Sequence, residues 1–225
     1  MVYLAVAVFV IGTTIRLWQI LKAPIHPTTL QIYPDRKGKF WGTLADTFLF
    51  PTVRRHKPVL WVFLVVFHLG LILLFIGHLE LIWDIGIFQV IPHEPFLGKG
   101  FLGLTLAICL LYFLFRRFCS PVKELSVPED YYLLILLFII MIFGSEMHWA
   151  RRIYFYEELA VDDYRDYFAS LLVLRPDLPE GILFSGHSFM LVVHVFFANL
   201  FLIFFPFSQS LHSFLALPIN KLRRG

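Results

Sequence analysis

The chain predicts an all-α fold: a five-helix bundle embedded in a membrane, with its N-terminus outside and its C-terminus in the cytoplasm. Three observations carry this. Of 225 residues, 59% are hydrophobic and only 16% charged, a composition unlike that of a water-soluble domain. The apolar residues gather in blocks of about twenty, the length a helix needs to cross roughly 30 Å of hydrocarbon, where unpaired backbone is forbidden. Lys and Arg, finally, alternate between the connecting segments. Residues 22–57 hold seven, 116–123 three and the tail from Lys221 three, whereas 84–99 offers only Lys99 and 150–183 sets four basic residues against seven acidic ones. The positive-inside rule then orients the chain, and the net charge of +3 adds little to that asymmetry.

Taken in order, the expected helices cover residues 2–21, 58–83, 96–115, 131–149 and 184–215, in one domain spanning 1–225. The first block has no basic residue ahead of its apolar run and no small-residue cleavage site, so it reads as a retained helix with Arg16 snorkelling at its inner end. The inner segment 22–57 is rich in Pro and charge and suits a docking surface. Within it FWGTLADTFLF is apolar enough to lie in the interface as a short helix, with His26 and His56 in solvated loops. Gly86 and the Pro92–Pro95 stretch make the outer turn to helix three, leaving His93 exposed, and Pro121 and Pro128 bound the inner turn to helix four. After Trp149 the outer segment 150–183 mixes acidic, Tyr and apolar residues, as an amphipathic helix covering the outer end of the bundle would. Trp and Tyr near the block ends, and 26 Phe residues, suit contact with lipid and headgroups.

The chemistry resides in the second and fifth blocks. PVLWVFLVVFHLGLILLFIGHLELIW carries His68 and His78 in its body, and an imidazole in hydrocarbon needs a partner. A haem iron is the partner that best fits, with His194 and His212 of the fifth block as opposite axial ligands. His68 and His78 are ten residues apart, about 15 Å along a helix and about 80° short of three full turns. His194 and His212 are eighteen apart, five turns and so one face, about 27 Å if the helix stays straight. Antiparallel helices pair His78 with His194 toward the outside and His68 with His212 toward the inside, but the two spacings disagree. A break at Pro206, followed by Ser208, Gln209 and Ser210, together with helix tilt, would close the difference.

Several residues carry two readings. Gly70 and Gly77, seven apart on nearly one face, either let a porphyrin approach the backbone or serve close helix packing. His187 either replaces His194 as ligand or belongs to a quinone pocket. His148 with Glu146 is a candidate for proton handling or quinone contact, or else a satisfied interfacial pair. Glu80 would accept a proton from a quinol, or is an interfacial carboxylate. Arg54, Arg55 and Lys57, with Arg116 and Arg117, would pair with haem propionates or act as ordinary inner anchors. Cys109 and Cys119 form no C-x-x-C-H, so haem would be b-type, held by ligation alone, and the two thiols are expected to be packed and unbridged.

Certain of these residues resemble a known family. Phe67-His68-Leu69-Gly70, Gly77-His78, the run Arg116-Arg117-Phe118-Cys119-Ser120-Pro121, and Phe205-Pro206-Phe207-Ser208 followed by His212 are similar to the di-haem cytochrome b, or gamma, subunit of respiratory nitrate reductase. The resemblance covers helices two to five and implies that His68 and His212 bind the haem nearer the cytoplasm, His78 and His194 the haem nearer the outer face. It implies two haem b groups carrying electrons from quinol, through the outer and then the inner haem, to a cytoplasmic iron–sulfur subunit. Two departures stand out. The basic residue expected at the start of helix three for quinol binding has no clean match, Phe96 falling near that position and Lys99 slightly beyond; and the 22–57 segment is long while the tail is short. These features look more like the cytochrome b subunits of sulfate-reducer complexes, the high-molecular-weight cytochrome c complex and the sulfite-reduction-associated complex. There the outer partner is a multihaem cytochrome c or another membrane subunit, and the inner one resembles a heterodisulfide-reductase iron–sulfur protein.

The expected function is therefore electron transfer across the cytoplasmic membrane of a prokaryote within a respiratory complex. The alternatives are a quinol-oxidising gamma subunit of a nitrate reductase and a haem-free membrane anchor. No phosphate loop, nucleic-acid patch or soluble-enzyme motif is present.

Overall fold

The computed structural model describes residues 1–22, 39–82, 101–155, 161–184, 186 and 188–224. Among them the regular structure is all helical, without strands. The helices are α1 (Val2–Lys22), α2 (Lys39–Phe48), α3 (Pro51–His56), α4 (Pro58–Glu80), α5 (Phe101–Phe118), α6 (Pro128–Tyr154), α7 (Val161–Leu172), α8 (Glu180–Leu183), α9 (Ser188–Phe204) and α10 (His212–Arg224). Five are long and apolar enough to cross a membrane: α1, α4, α5, the Pro128–Met147 part of α6, and α9 with the turn that follows it to Phe207. The all-α membrane class read from the blocks is the class observed. The chain divides into two compact units, Val66–Ala198 and Met1–Val65 with Asn199–Gly225.

In the Val66–Ala198 unit, Leu106, Ala107 and Leu110 of α5 and Met141 of α6 form a buried core. Phe67, Leu71 and Leu74 of α4 and Leu134, Leu137, Phe138 and Ile142 of α6 surround it. Since lipid is as apolar as leucine, what holds these helices together is close packing and hydrogen bonding, with little help from water expulsion. Gly70 shows the consequence: a Cβ there would come within 2.9 Å of Leu106 and 3.3 Å of Leu102, so the missing side chain accommodates α5. The turn from α5 to α6 is welded by charge. Asp130, buried in the first turn of α6, accepts from the Val127 N–H at 3.0 Å and pairs with Arg117 at 2.8 Å. Arg117 also donates to Ser126 Oγ at 3.2 Å, while its carbonyl accepts from the Tyr131 hydroxyl at 2.7 Å. Pro128 and the acidic pair Glu129–Asp130 suit a helix start, where the missing N–H costs nothing and negative charge meets the positive end of the dipole.

In the other unit the expected interfacial helix within 22–57 is present as α2. It packs against α10, where Asn220 Nδ2 donates to Thr47 Oγ1 at 3.1 Å. Gly12 of α1 lies against Pro206, so close that a Cβ would sit 2.9 Å from the ring, and Phe9 meets Phe205 edge-on at 5.2 Å. Arg16 is exposed, with its guanidinium 5.8 Å from the Phe207 ring centre. The fifth block, 184–215, is broken at Pro206, where a break was considered. It comprises α9, two 3₁₀ turns and the start of α10, because Pro206 has no N–H to continue α9. Ser208 then turns the chain, accepting from the Ser210 N–H at 3.2 Å and donating to the Phe205 carbonyl at 3.1 Å.

Candidate functional site

The Val66–Ala198 unit brings two of the four candidate histidines together. His78, near the end of α4, and His194, on α9, have ring centres 6.3 Å apart and planes inclined by 25°. Both rings are oriented by main chain. His78 Nδ1–H donates to the Leu74 carbonyl at 2.7 Å, one turn back on its own helix, and His194 Nδ1–H donates to the Ile140 carbonyl of α6 at 2.9 Å. A carbonyl only accepts, so these bonds place the proton on Nδ1 and leave Nε2 with its lone pair, the tautomer in which metal-binding imidazoles are held. Neither ring makes a further hydrogen bond among the described residues. Gly144, one turn along α6 from Ile140, gives the His194 ring its room: a Cβ there would stand 3.0 Å from Cε1 and 3.1 Å from Nδ1. Gly77 is buried beside His78.

His68 sits on α4 with its ring edge-on to Phe67 at 5.6 Å. His212 opens α10 in the other unit; its ring is exposed, and Nδ1–H donates to the Gln209 carbonyl at 2.7 Å. His78, His194 and His212 thus share one device, a main-chain carbonyl on Nδ1.

The remaining candidates scatter. Glu80, with its two readings as proton acceptor or interfacial carboxylate, is fully buried; Arg165 of α7 reaches it, with Nη2 3.5 Å from Oε1 and Nε donating to the Glu80 carbonyl at 3.3 Å. Arg54 and Arg55 are exposed on α3, the Arg54 guanidinium 5.2 Å from the Trp61 ring centre. Arg116 is half-buried in the last turn of α5, and its neighbour Arg117 is committed to Asp130. Cys109 is buried and Cys119 exposed, both as free thiols, so the expectation that both are packed holds for Cys109 and is corrected for Cys119, which ends in the open turn after α5. Lys99, His93, His26 and His187 lie outside the described residues, as does the side chain of His148.

Ile140, Gly144 and Arg165 were not singled out from sequence. Gly144, a glycine inside an otherwise apolar block, carried a signal of close approach; a carbonyl acceptor such as that of Ile140 carries none.

Comparison with known proteins agrees with the resemblance read from the motifs. The profile of the family "Nitrate reductase gamma subunit" matches residues 55–225. Two relatives are each named "Hdr-like menaquinol oxidoreductase cytochrome b-like subunit". The one from Archaeoglobus profundus is 27% identical over 258 residues, covering 93% of this chain and 73% of the relative. The one from Archaeoglobus fulgidus is 27% identical over 263 residues, covering 94% and 74%. With three-quarters of its length matched by the profile, the chain belongs to the nitrate reductase gamma subunit family.

Proposed function

We propose that this chain is a di-haem cytochrome b subunit that passes electrons across the cytoplasmic membrane of a prokaryote, between an outer-face donor and a cytoplasmic iron–sulfur subunit. The observation that carries the reading is the spacing of His78 and His194. The two rings come from different membrane-spanning helices, their centres lie 6.3 Å apart, and each has its Nδ1–H taken by a main-chain carbonyl, so this pair would be the one to hold a haem iron. Among the described residues no group of three His, Cys, Asp or Glu side chains forms, and a haem is a metal group that His78 and His194 alone would suffice to hold. Among the described residues neither Nε2 has a hydrogen-bond partner, and an imidazole nitrogen in a membrane-spanning helix is costly without one.

The haems, when bound, supply reversible one-electron iron chemistry. The chain's part is to hold and orient. The Leu74 and Ile140 carbonyls fix the two ring planes and keep Nε2 unprotonated; Gly144 lets the His194 ring seat against α6. His68 and His212 are assigned to the second haem, nearer the cytoplasm, with Arg54, Arg55 and Arg116 as candidate propionate partners. The membrane-facing surface meets lipid and other membrane subunits. As donor we favour a quinol over a multihaem cytochrome c, because both named relatives are subunits of menaquinol oxidoreductases.

The test is haem content by the pyridine haemochrome spectrum of the purified full-length chain. Two haem b per chain are expected, falling to one in His194→Ala. A wild-type chain free of haem would make it a membrane anchor instead.

A further inference from the structure

The amphipathic helix α7 touches both helices that carry the His78–His194 pair. On one side Tyr164 and Tyr167 pack against the buried pair Ile182 of α8 and Leu191 of α9, a cluster on which Val195 of α9 and Met147 of α6 also pack. Leu191 precedes His194 by three residues and Val195 follows it, so this cluster lies along the stretch of α9 that carries His194. On the other side Arg165 meets the last residue of α4 through two atoms at once: Nη2 reaches the buried Glu80 carboxylate at 3.5 Å, and Nε donates to the Glu80 carbonyl at 3.3 Å. Its Nη1 also donates to Asp162 at 3.2 Å within α7. Gly181 lets α8 close on the same helix, since a Cβ there would come within 3.0 Å of the Asp163 carboxylate.

The chemistry of this contact is specific to arginine. A guanidinium is always charged, holds several donors in one plane, and caps a helix C-terminus, where unpaired carbonyls and the negative end of the dipole lie. Glu80 is two residues beyond His78, so anything that fixes the last turn of α4 fixes the backbone from which that ring projects. We propose that Arg165 is a positioning residue for the His78–His194 centre: it clasps α7 across the ends of α4 and α9 and so sets the angle between the two imidazole planes. The inference rests on the haem-ligand reading of that pair and adds to it a residue from the segment between α6 and α9 that touches neither ring.

The angle between axial imidazole planes governs the g-max of a low-spin ferric haem, which gives a readout that haem content and activity do not. Electron paramagnetic resonance of oxidised membranes holding the haem-loaded full chain should show two low-spin signals in wild type. Arg165→Met should shift the g-max of one signal, the one that His78→Ala abolishes, and leave the other in place; Arg165→Lys, which keeps the charge, should restore it in part. Removing the cation alone leaves a buried carboxylate uncompensated and threatens folding. The double variant Arg165→Met with Glu80→Gln avoids that, and should shift the same signal relative to Glu80→Gln alone, in which Arg165 keeps its bond to the carbonyl. Signals of Arg165→Met or of the double variant that superimpose on their references overturn the clasp while leaving the ligand assignment standing. A wild type without bis-histidine low-spin signals overturns both.

Discussion

The two candidate histidine pairs are built differently. His78 and His194 both fall in the Val66–Ala198 unit, where α6 stands behind one ring and a turn of α4 orients the other. His68 belongs to that same unit, but His212 belongs to Met1–Val65 with Asn199–Gly225, at the start of a new helix after Pro206. One pair therefore draws on packing between helices, while one member of the other, His212, is placed by a turn. Eighteen residues amount to about 27 Å only along an unbroken helix, and two 3₁₀ turns interrupt the chain between His194 and His212.

The largest expected effect comes from removing a ligand of the turn-built pair. His212→Ala should lose one haem per chain and leave the His78–His194 signal unchanged, measured by haem content and low-temperature optical spectra; loss of both would show that the two centres are not independently built. Next is Gly144→Val. Its side chain would invade the space of the His194 ring, and overpacking of this kind costs about 1–3 kcal/mol. The expected outcome is reduced occupancy of the His78–His194 haem alone, read from the same spectra. Gly12→Leu is the matching perturbation on the other side: the Cβ already meets Pro206, so the turn ahead of His212 should shift, altering the midpoint potential of the second haem and sparing the first.

The smallest effect on either centre should come from Asp130→Asn. Losing a charge-assisted bond to Arg117 costs about 1.5–3 kcal/mol where a partner is left buried, so thermal stability in detergent should fall while both haems are retained. Loss of a haem in this variant would mean that the turn between α5 and α6 supports a centre directly.

How far these features were legible beforehand follows from what writes itself into sequence. Five apolar blocks and intramembrane histidines announce themselves, because lipid allows few alternatives for either. The break after Phe204 was announced by Pro206 and the serines behind it. The two readings of Gly70 were not separable from sequence, since a glycine looks the same whether it faces a cofactor or, as here, Leu106. The orientation of His194 was hidden altogether: every residue has a carbonyl, and nothing in the letters marks Ile140 as the acceptor. The contact of Glu80 with Arg165 joins positions 85 apart, a pairing that no local pattern encodes.

We propose that His78 and His194 grip one and the same iron. Electron paramagnetic resonance of His78→Ala and His194→Ala, prepared side by side in oxidised membranes, decides this. Either substitution should abolish the same low-spin ferric signal and leave the second intact. Two substitutions that remove different signals, or none, would contradict it.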